Sequence, residues 1–403
     1  MKNDRIKRIS LNNLIISSLF CLNLSWTTPL TISESGINYD PHVSSNDNNH
    51  SIVVWVNGVY PDLKTHYSLY DGVGWSEASA IDNTGAQVSP VSGIDSSGNV
   101  IALWESISEN ERSIVLALKP LNKPWEKAVT LSTSNLNTSP SLSVNAYGEV
   151  IAGWIDIEND RVQVVFLSFD GSWSAVNTIS ASGGNKINLC LGLDGNGNSI
   201  VAWEEHDSGN IFISQTTEGF NSSWSTPTCL TSNGKNSTPV ISLNIVGNAI
   251  ISWINIETYE VMASIYENNI WSQSSTISNN FGYLQTVMSL DNNYFVSWMD
   301  METGDYMAAR NNYSVWGSPV NLSNADLNGS SGLYAFFTAW TDKANGEIKI
   351  AEYPTTGDSL TPVELECENV NFSPKISYSP TMITSVWESV LEKDHIIQVS
   401  INK

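Results

Sequence analysis

Eight tryptophans close eight apolar runs, and the residue two places after each is polar: Asn57, Ser106, Asp156, Glu205, Asn255, Asp300, Asp342 and Ser389. Three further carboxylates, Glu105, Glu204 and Glu388, stand one residue earlier. Gathered on one face, such side chains would offer oxygen ligands to a hard cation or acceptors to sugar hydroxyls. Because a strand alternates its sides, each position shares a side with its tryptophan, at the mouth of a loop. Asn57, Asp156, Glu205, Asn255, Asp300 and Asp342 are therefore the candidate ligand-binding ring, with the wet ends of strands as the competing structural explanation. No cofactor is expected, and calcium is the one ion that such a ring would suit.

Other chemistry finds little support. His42, His50, His66, His206 and His395 show no repeated metal spacing and no G-x-S-x-G partner. Cys21 lies in the N-terminal apolar segment, and Cys190, Cys229 and Cys367 form no CxxC pair, so neither a disulfide framework nor a zinc site is indicated. Asp194-Gly-Asn196-Gly-Asn198 with Glu205 at its twelfth place looks faintly like a calcium loop. Ser199, however, stands where that loop needs glycine, so a hairpin turn is expected. The formal net charge is −23; setting aside residues 1–25 leaves 14 basic against 40 acidic residues, a net of −26. Phosphate neutralisation needs clustered Lys and Arg, so nucleic acid is excluded as a partner, and anionic membrane surfaces are disfavoured.

The elements that position the ring are repeats. The tryptophans of the ring series are Trp55, Trp104, Trp154, Trp203, Trp253, Trp298, Trp340 and Trp387, at intervals of 49, 50, 49, 50, 45, 42 and 47. A second series is Trp26, Trp75, Trp125, Trp173, Trp224, Trp271 and Trp316, with Ser359 at its eighth place; the two series account for all 15 tryptophans. Each unit reads as four short strands bounded by Gly, Asn, Asp and Ser, which is the strand count of a propeller blade. Pro41, Pro90, Pro140 and Pro239 stand 14 residues before their tryptophan. There they are expected to open the innermost strand, where no ladder bond is lost. Asp95–Gly98, Asn145–Gly148, Asp194–Gly197 and Asn244–Gly247 read as the turn between the first two strands.

The chain begins with an isolated outer strand, Trp26–Ile32, and ends with a three-strand set lacking one. The first strand should therefore complete the last blade and remove the free edge. The expected fold is all-β: one β-propeller over 26–403, of eight four-stranded blades. Seven is the alternative if one of the shorter units between Trp271 and Ser359 is degenerate. A residue recurring at one strand position in every blade is expected to pack between blades, so the ring-series tryptophans are assigned to the core. Tyr60, Tyr259, Tyr294 and Tyr306 break the template and are the better aromatic candidates for binding from loops.

The W-S-x-P, P-x-I-S-x-D and G-N-x-I-A-x-W strands in tandem resemble the repeats of exported bacterial β-propellers, loosely related to sialidase-type and propeller-lectin repeats. The resemblance covers 26–403 and implies the fold; the family's functional residues do not carry over. A sialidase-type site would need an arginine triad, and only Arg112, Arg161 and Arg310 follow Trp26, none in such a motif. The S-x-D-x-G-x-x-W box is also absent. The expected function is thus a non-catalytic module binding glycan or protein through one loop face, the alternative being an acidic glycan-active hydrolase. A basic start followed by Leu14–Leu24 reads as a secretory signal over 1–25. It implies a secreted, periplasmic or cell-surface protein, expected to be monomeric and without a membrane span.

Overall fold

The computed structural model describes residues 26–402 except 133, 169–170, 220–221, 233–234, 279–281, 291–292, 313–314, 324–335, 343–344, 354–361, 366 and 368–369. Residues 1–25, read above as a secretory signal, and Ser359 lie outside the described residues. Eight antiparallel sheets stand in a ring. Blade one runs outward through Asn38–Ser45, Ser51–Asn57, Lys64–Tyr70 and Ser79–Ala80, and blades two to six repeat this order. In blade seven the described strands are Phe336–Thr341, Ile348–Tyr353 and Val363–Leu365. Residues 324–335, which precede them, lie outside the described residues.

The last blade consists of Val370–Ser379, Met382–Leu391 and Asp394–Asn402, and its outer strand is Leu30–Thr31 from the start of the chain. Leu30 pairs with Val399 and Thr31 with Gln398, and Trp26 bridges Asn402. Closure joins the two ends of the ring in one sheet, as the unpaired strands required.

The repeated motifs have local causes. The serine after the second-series tryptophan accepts a backbone N–H of the third strand: Ser76 from Leu69 at 3.0 Å, Ser174 from Phe166 at 2.9 Å, Ser225 from Gln215 at 3.0 Å and Ser272 from Ile265 at 3.0 Å. Thr27 does the same for Ile401 at 2.9 Å in the closing blade. This hydroxyl bond extends an outer strand whose regular ladder is only two residues long in blades one to four.

The prolines do not open their strands. Pro41 is the fourth residue of Asn38–Ser45, at a break in register between Tyr39 and His42, and blades two, three and five share the break. The residue before each proline is left-handed: Asp40 at φ 54°, Ser89 at 52°, Ser139 at 55° and Thr238 at 53°. A bulge takes one residue out of the ladder, which is why a residue without an N–H is tolerated in mid-strand.

The core sits between blades. None of the eight ring-series tryptophans is more than 3% exposed, and they pack with aliphatic residues of adjacent sheets. The second series is half-buried, with Trp173 at 38%. Tyr60 and Tyr259 are exposed loop residues, as expected, but Tyr294 and Tyr306 are buried in strands. Tyr294 donates to Glu267 at 2.6 Å, and Tyr306 stacks on Trp340 at 4.8 Å.

Candidate functional site

Asn57, Asp156, Glu205, Asn255 and Asp300 end their strands and Asp342 directly follows its own, and their polar atoms meet nearby partners. Asp156 Oδ1 accepts Asn159 N at 3.1 Å, while Asn255 Oδ1 accepts Glu257 N at 3.0 Å. Asp300 Oδ1 accepts Glu302 N at 2.9 Å and Thr303 N at 3.1 Å. Asp342 pairs with Lys349 at 2.5 Å, and this bond raises the ammonium's pKa above its ordinary value. Glu205 lies 3.5 Å from the buried Lys186, and Asn57 donates to Asn38 at 2.9 Å. Among the described residues no three His, Cys, Asp or Glu side chains form a group that could hold a metal ion.

The acids one place earlier reach the next blade. Glu105 accepts Thr138 Oγ1 at 2.9 Å and the backbone N of Ser139 at 3.0 Å. Glu204 treats Ser237 and Thr238 in the same way, at 2.8 and 3.2 Å. Both carboxylates therefore hold the left-handed residue of the neighbouring bulge. Glu388 instead meets His395 at 2.7 Å.

Directly across the strand pair from the ring lies a second ring that escaped the sequence reading. Asn38, Gln87, Asn137, Lys186, Asn236 and Asn371 are each at most 4% exposed. Asn38 donates to His395 O at 2.8 Å, Asn137 to Arg112 O at 2.9 Å, Asn236 to Gly209 O at 3.1 Å and Asn371 to Gly346 O at 2.8 Å, each in the preceding blade. Asn38 and Asn236 also accept the indole N–H of Trp55 and Trp253 at 2.8 and 2.9 Å. The signal was available, since an amide or lysine stands 17 residues before each of the first five ring-series tryptophans.

The loop face holds an opening. A cleft of about 480 Å³ lies between blades one and two, within the size range of ligand pockets. It is lined by Asp82 and Thr84 from the connection between the blades, by the ring residue Ser106, and by Glu111 and Trp125 of blade two, with Val115 at its base strand. The opening has a residue-level cause. Opposite the buried tryptophan on the third strand stand His66, Val115, Gln163, Phe212, Met262, Met307, Lys349 and Gln398 in successive blades. Val115 is the shortest of them, and Ser106 and Ser113 beside it are small as well.

The cleft is also pre-arranged. Lys64 donates to Asn83 O at 3.1 Å and Gly85 O at 2.5 Å, and Gln87 donates to Asp82 O at 3.2 Å and Thr84 O at 3.0 Å. The Asp82 carboxylate caps Asn83 N at 2.7 Å and accepts the Thr84 hydroxyl. Gly85, at φ +61°, lies so close that a Cβ would sit 3.0 Å from Ser106 Oγ. Trp125 packs edge-on against Tyr67 of blade one, centroids 5.2 Å apart. Its Nε1 is buried without an acceptor among the described residues, and so is that of Trp104. In blades three and eight the corresponding indoles donate to Gln163 at 3.0 Å and Gln398 at 3.2 Å; Val115 cannot accept. Asp82, Glu111 and Trp125 were not singled out from sequence, because the cleft depends on which strands face one another.

No protein-family model matches the chain, and no curated protein matches it. Among solved structures it is similar to a polysaccharide lyase at 8% identity and TM-score 0.49, covering 92% of this chain and 90% of that one. An ulvan lyase solved with a bound saccharide is 12% identical with TM-score 0.45, covering 83% and 96%. The fucose-recognising Aleuria aurantia lectin, a six-bladed propeller, is 11% identical with TM-score 0.41, covering 73% and 99%. What the cleft of this chain can do is set by its own residues.

Proposed function

We propose that this chain is an exported, non-catalytic binding module that takes a glycan into the cleft between blades one and two. The observation that carries the reading is Trp125. Its ring lines a cleft otherwise rich in hydroxyls and carboxylates. A sugar ring matches that combination, with C–H faces for an aromatic side chain and hydroxyls that both donate and accept. The pinned connection Asp82–Thr84 means that little ordering is needed on binding. A cleft with one aromatic wall supports an affinity on the order of 0.1–1 mM. Export rests on the basic and apolar start of the chain.

A glycan array followed by calorimetry on any hit tests this. Trp125→Ala should weaken binding at least tenfold while the fold, followed by circular dichroism, is kept. Undiminished binding by that variant would exclude the cleft, and an array without hits would exclude the glycan. Turnover of a bound glycan would exclude the non-catalytic reading.

A further inference from the structure

Resting on the glycan reading, we infer that the cleft selects neutral saccharides and discriminates against uronic and sulfated ones. Among the lining side chains three are carboxylates, Asp82, Glu111 and Glu126, against the ammonium of Lys127, a net of −2, while the Lys64 ammonium is spent on Asn83 O and Gly85 O behind the wall. Their hydrogen-bonding capacity has the same bias. Ionised carboxylates only accept, so they suit the O–H donors of a neutral sugar. Glu111 uses Oε1 for Ser113 at 2.5 Å, and the Glu126 side chain is exposed. A uronate would instead bring a charge and two further acceptors to a site with one ammonium.

The discrimination has a calculable size. In water each like charge at about 7 Å weakens an anion roughly two- to threefold at low salt, and the effect fades as the Debye length shortens. A net of two such charges gives about a fivefold gap. The whole-chain excess of acidic residues acts in the same direction on encounter.

The test is calorimetry of the full protein with matched trisaccharides: glucan and glucuronan, galactan and galacturonan, mannan and mannuronan. The expected result is that the neutral member of a bound pair binds at least about fivefold tighter in 20 mM salt. The gap should narrow toward twofold in 0.3 M salt and close in Glu126→Lys, which brings the cleft to net zero. A uronate that binds as tightly as its neutral partner, or more tightly, would overturn the selectivity while leaving the glycan reading intact. A gap unchanged by salt and by Glu126→Lys would overturn its electrostatic cause. Failure of all six sugars to bind would overturn the glycan reading and the selectivity together.

Discussion

Replacing Val115 by Gln should give the Trp104 indole the acceptor that two of its counterparts, Trp154 and Trp387, have. In blades three and eight the residue opposite the tryptophan is Gln163 or Gln398, accepting the indole N–H at 3.0 and 3.2 Å. In blade two that residue is Val115, 8% exposed, and Trp104 Nε1 has no acceptor among the described residues. A buried donor without a partner costs about 1–3 kcal/mol. Immobilising a glutamine costs about 2 kcal/mol, so the net change over Val is about −1 to +1 kcal/mol. Val115→Met is the sharper reference, because Met262 and Met307 occupy this place in blades five and six and methionine has similar reach without a good acceptor. Buried glutamine without a partner would be less stable than methionine by about 1–3 kcal/mol. With the indole bond formed, it should be at least as stable. Urea unfolding of the three proteins reads the difference. Val115→Gln less stable than Val115→Met by more than about 1 kcal/mol would refute the assignment of Val115 as the cause of the orphaned indole. The amide also extends along the lining of the cleft, so binding of any glycan hit should weaken.

Deleting residues 26–32 should cost at least about 4 kcal/mol, since it removes the ladder to Gln398 and Val399 and the buried Ile32, 7% exposed. It should also promote self-association through the bared edge, read by light scattering; an unchanged urea midpoint would contradict the closure. Trp104→Ala should destabilise by about 3–5 kcal/mol and Trp173→Ala by less than about 2, because the first is fully buried and the second 38% exposed. Equal losses would contradict the burial difference. Burial, reinforced by Lys375, pushes His42 down to about 4, so the folded protein holds it neutral while the unfolded chain takes a proton below about 6.5. Stability should therefore fall as pH drops from 6.5 toward 4, by at most about 3 kcal/mol from this group. His42→Gln should lose about that much of the slope in urea unfolding at pH 7 and pH 4.5, and an unaltered slope would remove His42 as its source.

The sequence by itself determined the architecture. Tryptophans at steps of 49 and 50 mark units that bury their apolar faces against neighbours, and such units yield a stable core only when stacked into a closed set. The unpaired Trp26 strand at one end and the missing strand at the other left one way to finish the ring. Burial of Trp55 and its equivalents followed from the same regularity, because a position repeated in every blade meets the same neighbour in every blade. Pairing register was not legible. Pro41 and its equivalents fit the start of a strand as well as a bulge within one, and the left-handed residues before them show only in the backbone. Tyr294 and Tyr306 read as loop residues until their strands were placed. The ring residues were correctly set at the loop mouths, yet their partners, Asn159 for Asp156 and Thr303 for Asp300, depend on how each loop turns.

The cleft belongs wholly to the tertiary structure. It forms where Trp125 of blade two meets Tyr67 of blade one, 58 positions apart, and where Val115 comes to lie opposite Trp104. Nothing in a short window distinguishes Val115 from other strand valines. Only the pairing of antiparallel strands sets it in the row where other blades carry His66, Gln163 or Phe212, and only the facing of two blades turns that missing length into an opening. A repeat dictates the ring through its periodicity. The site arises where the periodicity fails, because the side chain opposite Trp104 is shorter than its equivalents in the other blades.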